Sequence, residues 1–188
     1  MSMQRSLLFV PGNHTTGIET AKSSPADVVV LDLEDAVAPE HKDAARQTAL
    51  DALAEWDTDT PLGIRVNGVD TNRGIADVEH ILQADREPDV LAIPDVRGVS
   101  DLRIVADHLD DADAGIELLP LIEQPSAVFD VQAIAHGPRI HGLLFAAIDF
   151  QMNMGMSVVG ESDISLPRYL VAMAASSAGV PAFDKPLM

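Results

Sequence analysis

The chain of 188 residues contains no cysteine, and this absence removes several classes of protein at once. Without cysteine there is no disulfide framework, no thiol nucleophile and no thiolate metal site. No apolar run approaches the roughly 20 residues of a membrane span, and the first run, 7–11, is too short for a signal peptide. We therefore expect a soluble cytoplasmic protein that does not associate with membranes.

Basic residues are also scarce, since 12 lysines and arginines face 30 aspartates and glutamates, which gives a formal charge of −18. Lysine occurs only at Lys22, Lys42 and Lys185. Such a chain repels phosphate backbones and anionic lipids, which argues against nucleic acid and membrane partners. The balance is typical of salt-adapted proteins, although an ordinary acidic soluble protein is an equal alternative.

The length and composition indicate one folded domain over residues 1–188. Hydrophobic residues form 47% of the chain and charged residues 22%, which excludes a disordered or fibrous chain. We find no internal repeat, low-complexity tract or interdomain linker in the sequence.

Short apolar runs rich in Val, Ile and Leu recur along the chain and predict buried parallel strands. They are 7–10, 28–33, 62–66, 90–93, 116–122, 140–148 and 180–183. Amphipathic stretches between them predict helices. These are 42–56, 75–84, 102–109, 126–135 and 166–178. The alternation predicts an α/β protein with a parallel sheet, either a doubly wound open sheet or a (β/α)8 barrel. No Gly-rich phosphate loop follows a strand, which disfavours a dinucleotide-binding open sheet.

Carboxylates follow two neighbouring predicted strands, Glu123 after strand five and Asp149 after strand six. Parallel α/β proteins bind ligands at the carboxyl ends of their strands. Two such carboxylates, with carbonyls and water, suit Mg²⁺ or Mn²⁺. The alternative is that each carboxylate caps the N-terminus of the following helix.

Arg65 lies within an apolar strand, where its guanidinium can bind a carboxylate through two parallel hydrogen bonds. The carboxylate belongs either to a substrate or to Glu34 or Asp35 in a structural ion pair. Sequence reasoning leaves these two interpretations equal.

Five motifs, in order along the chain, carry a family resemblance. They are RSLLFVPGN at 5–13, DVVVLDLEDAV at 27–37, IRVNG at 64–68, PLIE at 120–123 and LLFAAIDF at 143–150. The set resembles the citrate lyase beta-subunit-like branch of the HpcH/HpaI aldolase superfamily. The resemblance implies a (β/α)8 TIM-type barrel, Mg²⁺ as cofactor, and the making or breaking of a carbon–carbon bond next to a 2-oxo acid. Typical substrates are citryl, malyl or citramalyl thioesters, including coenzyme A thioesters.

The resemblance also implies roles for particular residues. Glu123 and Asp149 match metal ligands, and Arg65 matches the group that binds the substrate carboxylate and carbonyl. Glu34 and Asp35 match acidic residues that hold metal-bound water. Further contacts to the substrate are expected from Pro11, Gly12 and Asn67. The catalytic base is left open among Asp32, Glu34 and Asp35.

Some positions depart from the family pattern, and they concern the thioester carrier. His14 and Thr20 stand where relatives carry basic residues, and Asp95 follows strand four where relatives have lysine. The sequence also stops after its seventh strand, so we expect a barrel that lacks its last βα unit and associates as a homotrimer. Two alternatives to a thioester lyase remain, a metal-dependent aldolase acting on a free 2-oxo acid and a non-catalytic binding subunit.

Overall fold

A computed structural model describes residues 4–158 and 163–184, so residues 1–3, 159–162 and 185–188 of the predicted domain lie outside it. Its strands form one parallel sheet in the sequential order β1 to β7. They are β1 Leu7–Pro11, β2 Val28–Asp32, β3 Leu62–Arg65, β4 Val90–Ile93, β5 Glu117–Ile122, β6 Leu143–Phe145 and β7 Ala182–Phe183. All seven predicted strands are present. The order excludes a doubly wound sheet, whose strand order reverses at a switch point.

Helices connect each strand to the next. They are α1 Thr15–Ala21, α2 Lys42–Ala54, α3 Asn72–Leu82, α4 Val99–Asp111, α5 Pro125–Phe129, α6 Val131–Ala135, α7 Ala147–Asn153 and α8 Ser165–Ala178, with a 3-10 turn at Pro39–His41. None of the helices in the described part of the chain is long and apolar enough to cross a bilayer.

The sheet is curled, with one apolar cluster on its inner face and a larger one beneath the helices. Alternate strand residues supply the inner cluster, as the two-residue period of a strand requires. It comprises Val28, Val30, Val90, Ala92, Leu119, Leu121, Leu144 and Phe183, with Leu7 and Phe9 packed against it. The two edge strands, β1 and β7, therefore contribute to the same core. Gln4 Oε1 and His141 Nε2 lie 2.6 Å apart and link the segments that precede β1 and β6.

Two predicted elements have different bounds in the structure. The predicted strand 140–148 ends at Phe145, and α7 begins at Ala147, so Asp149 lies in the first turn of a helix. The predicted helix 126–135 is interrupted at Asp130. The Asp130 carboxylate accepts a hydrogen bond from the backbone N–H of Val99, at the start of α4 (2.8 Å). At Asp130, a tertiary contact thus accompanies the break in the predicted helix.

Candidate active site

Three of the predicted site residues line one cleft, which runs along β1 from Arg5 to the carboxyl ends of the strands. The cleft has a volume of about 730 Å³, and Asp35, Arg65 and Asp149 lie along it. Its apolar wall includes Phe9 from β1 and Leu121 from β5. The cleft is concave and mostly apolar with a few charged groups, as small-molecule sites usually are.

Arg65, the last residue of β3, is held by carboxylates from the end of β2. Its Nε and Nη2 donate to the two carboxylate oxygens of Asp32 at 2.7 and 2.5 Å. Nη1 lies 2.9 Å from Glu34 Oε2 and 3.9 Å from Asp35 Oδ2. The guanidinium also lies 5.3 Å from the centre of the Phe9 ring, within cation–π distance. Arg65 is therefore ion-paired through all three guanidinium nitrogens and also lines the cleft.

The ion pair between Arg65 and Asp32 was not predicted, because the sequence analysis considered Glu34 and Asp35 as partners. Asp32 is buried, and its carboxylate also accepts hydrogen bonds from the backbone N–H groups of Glu34 and Ala36. With four donors on its two oxygens, Asp32 has little capacity left to take a proton from a substrate. The candidates for the base are thereby reduced to Glu34 and Asp35.

Glu34 is half-buried beside Arg65, and its environment makes it a candidate for proton transfer. The pKa of Glu34 is raised to about 7, chiefly by burial and also by the negative charges of Asp35 and Asp32, against the opposing effect of the Arg65 charge. A carboxyl group with a pKa near neutrality can both accept and release a proton at the pH of the cell.

Glu123 directly follows β5 and is buried. Burial raises its pKa to about 8, and the charges of Asp95, Asp149 and Glu34 contribute in the same direction. Burial also raises the pKa of Asp149, together with the charges of Asp35 and Asp95. Within residues 4–158 and 163–184, neither Glu123 nor Asp149 forms a salt bridge.

These two carboxylates fit a divalent cation that takes its remaining ligands from water and substrate. Mg²⁺ typically binds through one or two carboxylates and keeps several waters. In the described part of the chain there is no group of three or more His, Asp or Glu side chains that could hold a metal alone. The capping alternative is wrong for Glu123, since its Oε1 accepts from the N–H of Asp95 in the loop after β4. Asp149 lies within the first turn of α7.

Asn67, Pro11 and Gly12 lie beside the cleft residues and do not line the cleft. Asn67 is buried, and both its backbone N–H and its Nδ2 donate to Asp77 Oδ2. Pro11 pairs with Asp32 across the sheet, and the Gly12 N–H donates to the carbonyl of Asp32 (2.8 Å). A Cβ at Gly12 would lie 3.0 Å from that carbonyl oxygen, so the close approach of the two strand ends requires glycine.

Sequence reasoning missed Lys42, which holds the loop that carries Glu34. Its Nζ donates to the carbonyls of Leu33 and Glu34 and to Asn67 Oδ1, at 2.9, 2.7 and 2.7 Å. The scarcity of lysine in an acidic chain was the available signal. Asp95 was noted at the end of strand four and given no role.

The family model for HpcH/HpaI aldolase/citrate lyase matches residues 5–188. The chain belongs to this family. It is 34% identical over 152 residues to a (3S)-malyl-CoA thioesterase of Cereibacter sphaeroides, covering 80% of this chain and 51% of that protein. It is 34% identical over 167 residues to the L-malyl-CoA/beta-methylmalyl-CoA lyase of Rhodobacter capsulatus, covering 84% and 52%. It is 31% identical over 191 residues to citrate lyase subunit beta of Escherichia coli, covering 96% and 63%.

Solved structures of the family have the same fold. RipC from Yersinia pestis matches with a TM-score of 0.81 and 31% identity, over 98% of this chain and 77% of that one. CitE from Mycobacterium tuberculosis, in complex with magnesium and acetoacetate, matches with a TM-score of 0.80 and 24% identity, over 98% and 74%. The family relationship that the sequence motifs predicted is confirmed. The chain spans about half the length of the first two relatives above.

Proposed function

We propose that this chain carries the active site of a magnesium-dependent carbon–carbon lyase. The enzyme cleaves a citryl-, malyl- or citramalyl-type thioester, such as one of coenzyme A, into a 2-oxo acid and an acyl thioester. One observation carries the proposal. Glu123 and Asp149, two carboxylates that form no salt bridge within the described residues, lie at the same end of the sheet as the guanidinium of Arg65. The family membership and the lyases among the relatives support it.

The proposed mechanism assigns a task to each side chain. Glu123 and Asp149 hold Mg²⁺, or Mn²⁺ in its place. The bound cation supplies Lewis acidity, which lowers the pKa of a hydroxyl and stabilises a forming carbonyl. Arg65, which lines the cleft, binds the carboxylate of the 2-oxo acid fragment and stabilises negative charge there.

Proton transfer is assigned to the carboxylates that follow β2. Glu34 accepts the hydroxyl proton at Oε2, the carbon–carbon bond breaks, and its electron pair passes to the thioester as an enolate. Reprotonation of the enolate carbon by a nearby acid or water completes the acyl thioester. Asp35 orders water at the mouth of the cleft, while Pro11, Gly12 and Asn67 shape the binding site by fixing the strand ends.

A panel of substrates tests the reaction class. With Mg²⁺ present, we expect malyl-CoA or citramalyl-CoA to release a 2-oxo acid and acetyl-CoA in equal amounts. Turnover of pyruvate with an aldehyde alone would indicate a free-acid aldolase. Release of free coenzyme A with an intact hydroxy acid would indicate a thioesterase. Binding of oxaloacetate with Mg²⁺ but no turnover on any substrate would indicate a binding subunit.

Replacing Arg65 by lysine is expected to weaken oxaloacetate binding in the presence of Mg²⁺ by about tenfold or more, because lysine keeps the charge but lacks the planar arrangement of donors. The dissociation constant is measured by calorimetry. Arg46→Lys is the matched control. Arg46 is buried and bonded through Nε to Asp77 (2.6 Å), and it does not line the cleft. Equal affinities for the wild type and Arg65→Lys would mean that Arg65 serves only its ion pair with Asp32.

We also propose that one further strand lies in the cleft between β1 and β7 and completes a (β/α)8 barrel. Both edge strands line this cleft, through Leu7 and Phe183 among others. The further strand occupies the part of the cleft beside β1 and β7, and the end lined by Asp35, Arg65 and Asp149 stays open to substrate.

We further propose that the chain assembles as a homotrimer, because unpaired strand edges and apolar surface favour association. Leu166, Tyr169 and Met173 form an exposed apolar stripe along α8. The charge of −18 opposes assembly, and added salt screens that repulsion. Light scattering is expected to show the mass rise from monomer toward trimer as salt increases. A monomer at every salt concentration would contradict this.

A cytoplasmic location stays a prediction from the sequence.

A further inference from the structure

Asp95 adopts an unusual backbone conformation next to the proposed metal site. It follows β4 with φ of +54°, in the left-handed region that few residues other than glycine, asparagine and aspartate occupy. Its side chain is exposed, so packing of that side chain does not account for the conformation. In the described part of the chain, the other non-glycine residues with positive φ are Asp113 and Arg139.

The conformation directs the backbone N–H of Asp95 to the buried carboxylate of Glu123. Oε1 of Glu123 accepts this hydrogen bond, and the Asp95 side chain accepts another from Gln124 Nε2 at 2.9 Å. On the α7 side, Asn153 Nδ2 donates to the backbone carbonyl of Glu123 at 3.1 Å. Within the described residues, Glu123 Oε2 accepts no hydrogen bond. Glu123 is therefore fixed through Oε1 and through its backbone.

We propose that Asp95 is a positioning residue for Glu123. Its left-handed backbone holds the N–H on Oε1 and so presents the other carboxylate oxygen to the divalent cation. The contribution comes from the backbone, and the Asp95 carboxylate is not a metal ligand. The inference rests on the proposed function, in which Glu123 binds that cation. Strained conformations that persist in a folded protein cluster at functional sites, which agrees with this assignment.

Substitutions that differ in their tolerance of positive φ test the proposal. Asp95→Asn and Asp95→Gly keep both the N–H and the left-handed conformation. Asp95→Val disfavours the conformation, and Asp95→Ala does so more mildly. Asp113→Val is the matched control, since Asp113 has the same φ of +54° and is exposed in the turn after α4, outside the cleft.

Calorimetric titration with Mg²⁺ alone supplies a readout that does not depend on turnover. We expect Asp95→Val to weaken Mg²⁺ binding by about tenfold or more, as is typical when a partner of a metal ligand is lost. Asp95→Asn and Asp95→Gly lose the same negative charge as Asp95→Val, and they are expected to bind Mg²⁺ about tenfold or more tightly than Asp95→Val. The Asp113→Val control is expected to bind like the wild type. Should the valine variant not fold, Asp95→Ala against Asp95→Gly makes the same comparison.

The results separate this inference from the proposed function. Equal weakening by asparagine and valine would assign the effect to the carboxylate and overturn the inference, and so would unchanged binding in Asp95→Val and Asp95→Ala. A wild-type chain that binds no Mg²⁺ would overturn the proposed function.

Amide hydrogen exchange then decides whether Asp95 and Glu123 are coupled. The Asp95 N–H is expected to exchange about tenfold faster in Glu123→Ala, which removes its acceptor, and an unchanged rate would overturn the positioning role.

Discussion

Replacing Glu123 by glutamine, or Asp149 by asparagine, is expected to abolish Mg²⁺ binding and to lower kcat/KM by at least about a hundredfold, since a Lewis-acid cation supplies several kcal/mol of transition-state stabilisation. Each substitution keeps the size of the side chain and removes one of the two proposed protein ligands. Because only two carboxylates are assigned to the cation, the loss of either leaves too few hard oxygen ligands. Calorimetry with Mg²⁺ and steady-state kinetics on the thioester panel measure the two effects separately.

Glu117→Gln is the control for this pair. Glu117 is exposed at the opposite end of β5, where it contacts His141, so the substitution removes the same charge from the same strand. Its Mg²⁺ affinity and kcat/KM are expected to match those of the wild type. Full turnover of Glu123→Gln in the presence of a chelator would contradict the assignment of the metal site.

The strands of this protein could be predicted closely because burial on both faces leaves continuous runs of Val, Ile and Leu. The run 140–148 shows the limit of that signal. Its residues are apolar throughout, so nothing in the pattern distinguishes the end of β6 at Phe145 from the start of α7 at Ala147. Asp130 shows a second limit, because its carboxylate bonds the start of α4, an element 31 residues away in sequence.

The candidate site was predicted in outline because parallel strands bring their carboxyl ends to one side of the sheet. The partners of each side chain were less predictable. Three acidic residues, Asp32, Glu34 and Asp35, lie near Arg65, and only the geometry shows that Asp32 forms the two-point ion pair. Hydrogen bonds made by backbone groups, such as that from Asp95 to Glu123, have no sequence signal at all.

The raised pKa values of Glu123 and Glu34 lead to a prediction about stability as well as function. Glu123 has a pKa of about 8 and Glu34 one of about 7 in the folded chain, against ordinary values near 4.5. Between those values the folded state binds more protons than the unfolded state, so the free energy of unfolding falls as the pH rises. For Glu123 the loss is complete only once the pH passes about 8.

In a chelator, the wild-type chain is therefore expected to lose of the order of 3 kcal/mol of unfolding free energy between pH 5 and pH 8. Urea titrations at high salt measure this, since salt screens the general repulsion of an acidic surface. Glu123→Gln should lose less over the same range, and at pH 8 without metal it should be more stable than the wild type. Added Mg²⁺ should reverse the order, because a ligand that binds only the folded state stabilises it. Two results would contradict the role of Glu123 as the buried carboxylate of the proposed metal site. One is a wild-type chain whose metal-free stability is the same at pH 5 and pH 8. The other is a Glu123→Gln chain that Mg²⁺ stabilises as much as it stabilises the wild type.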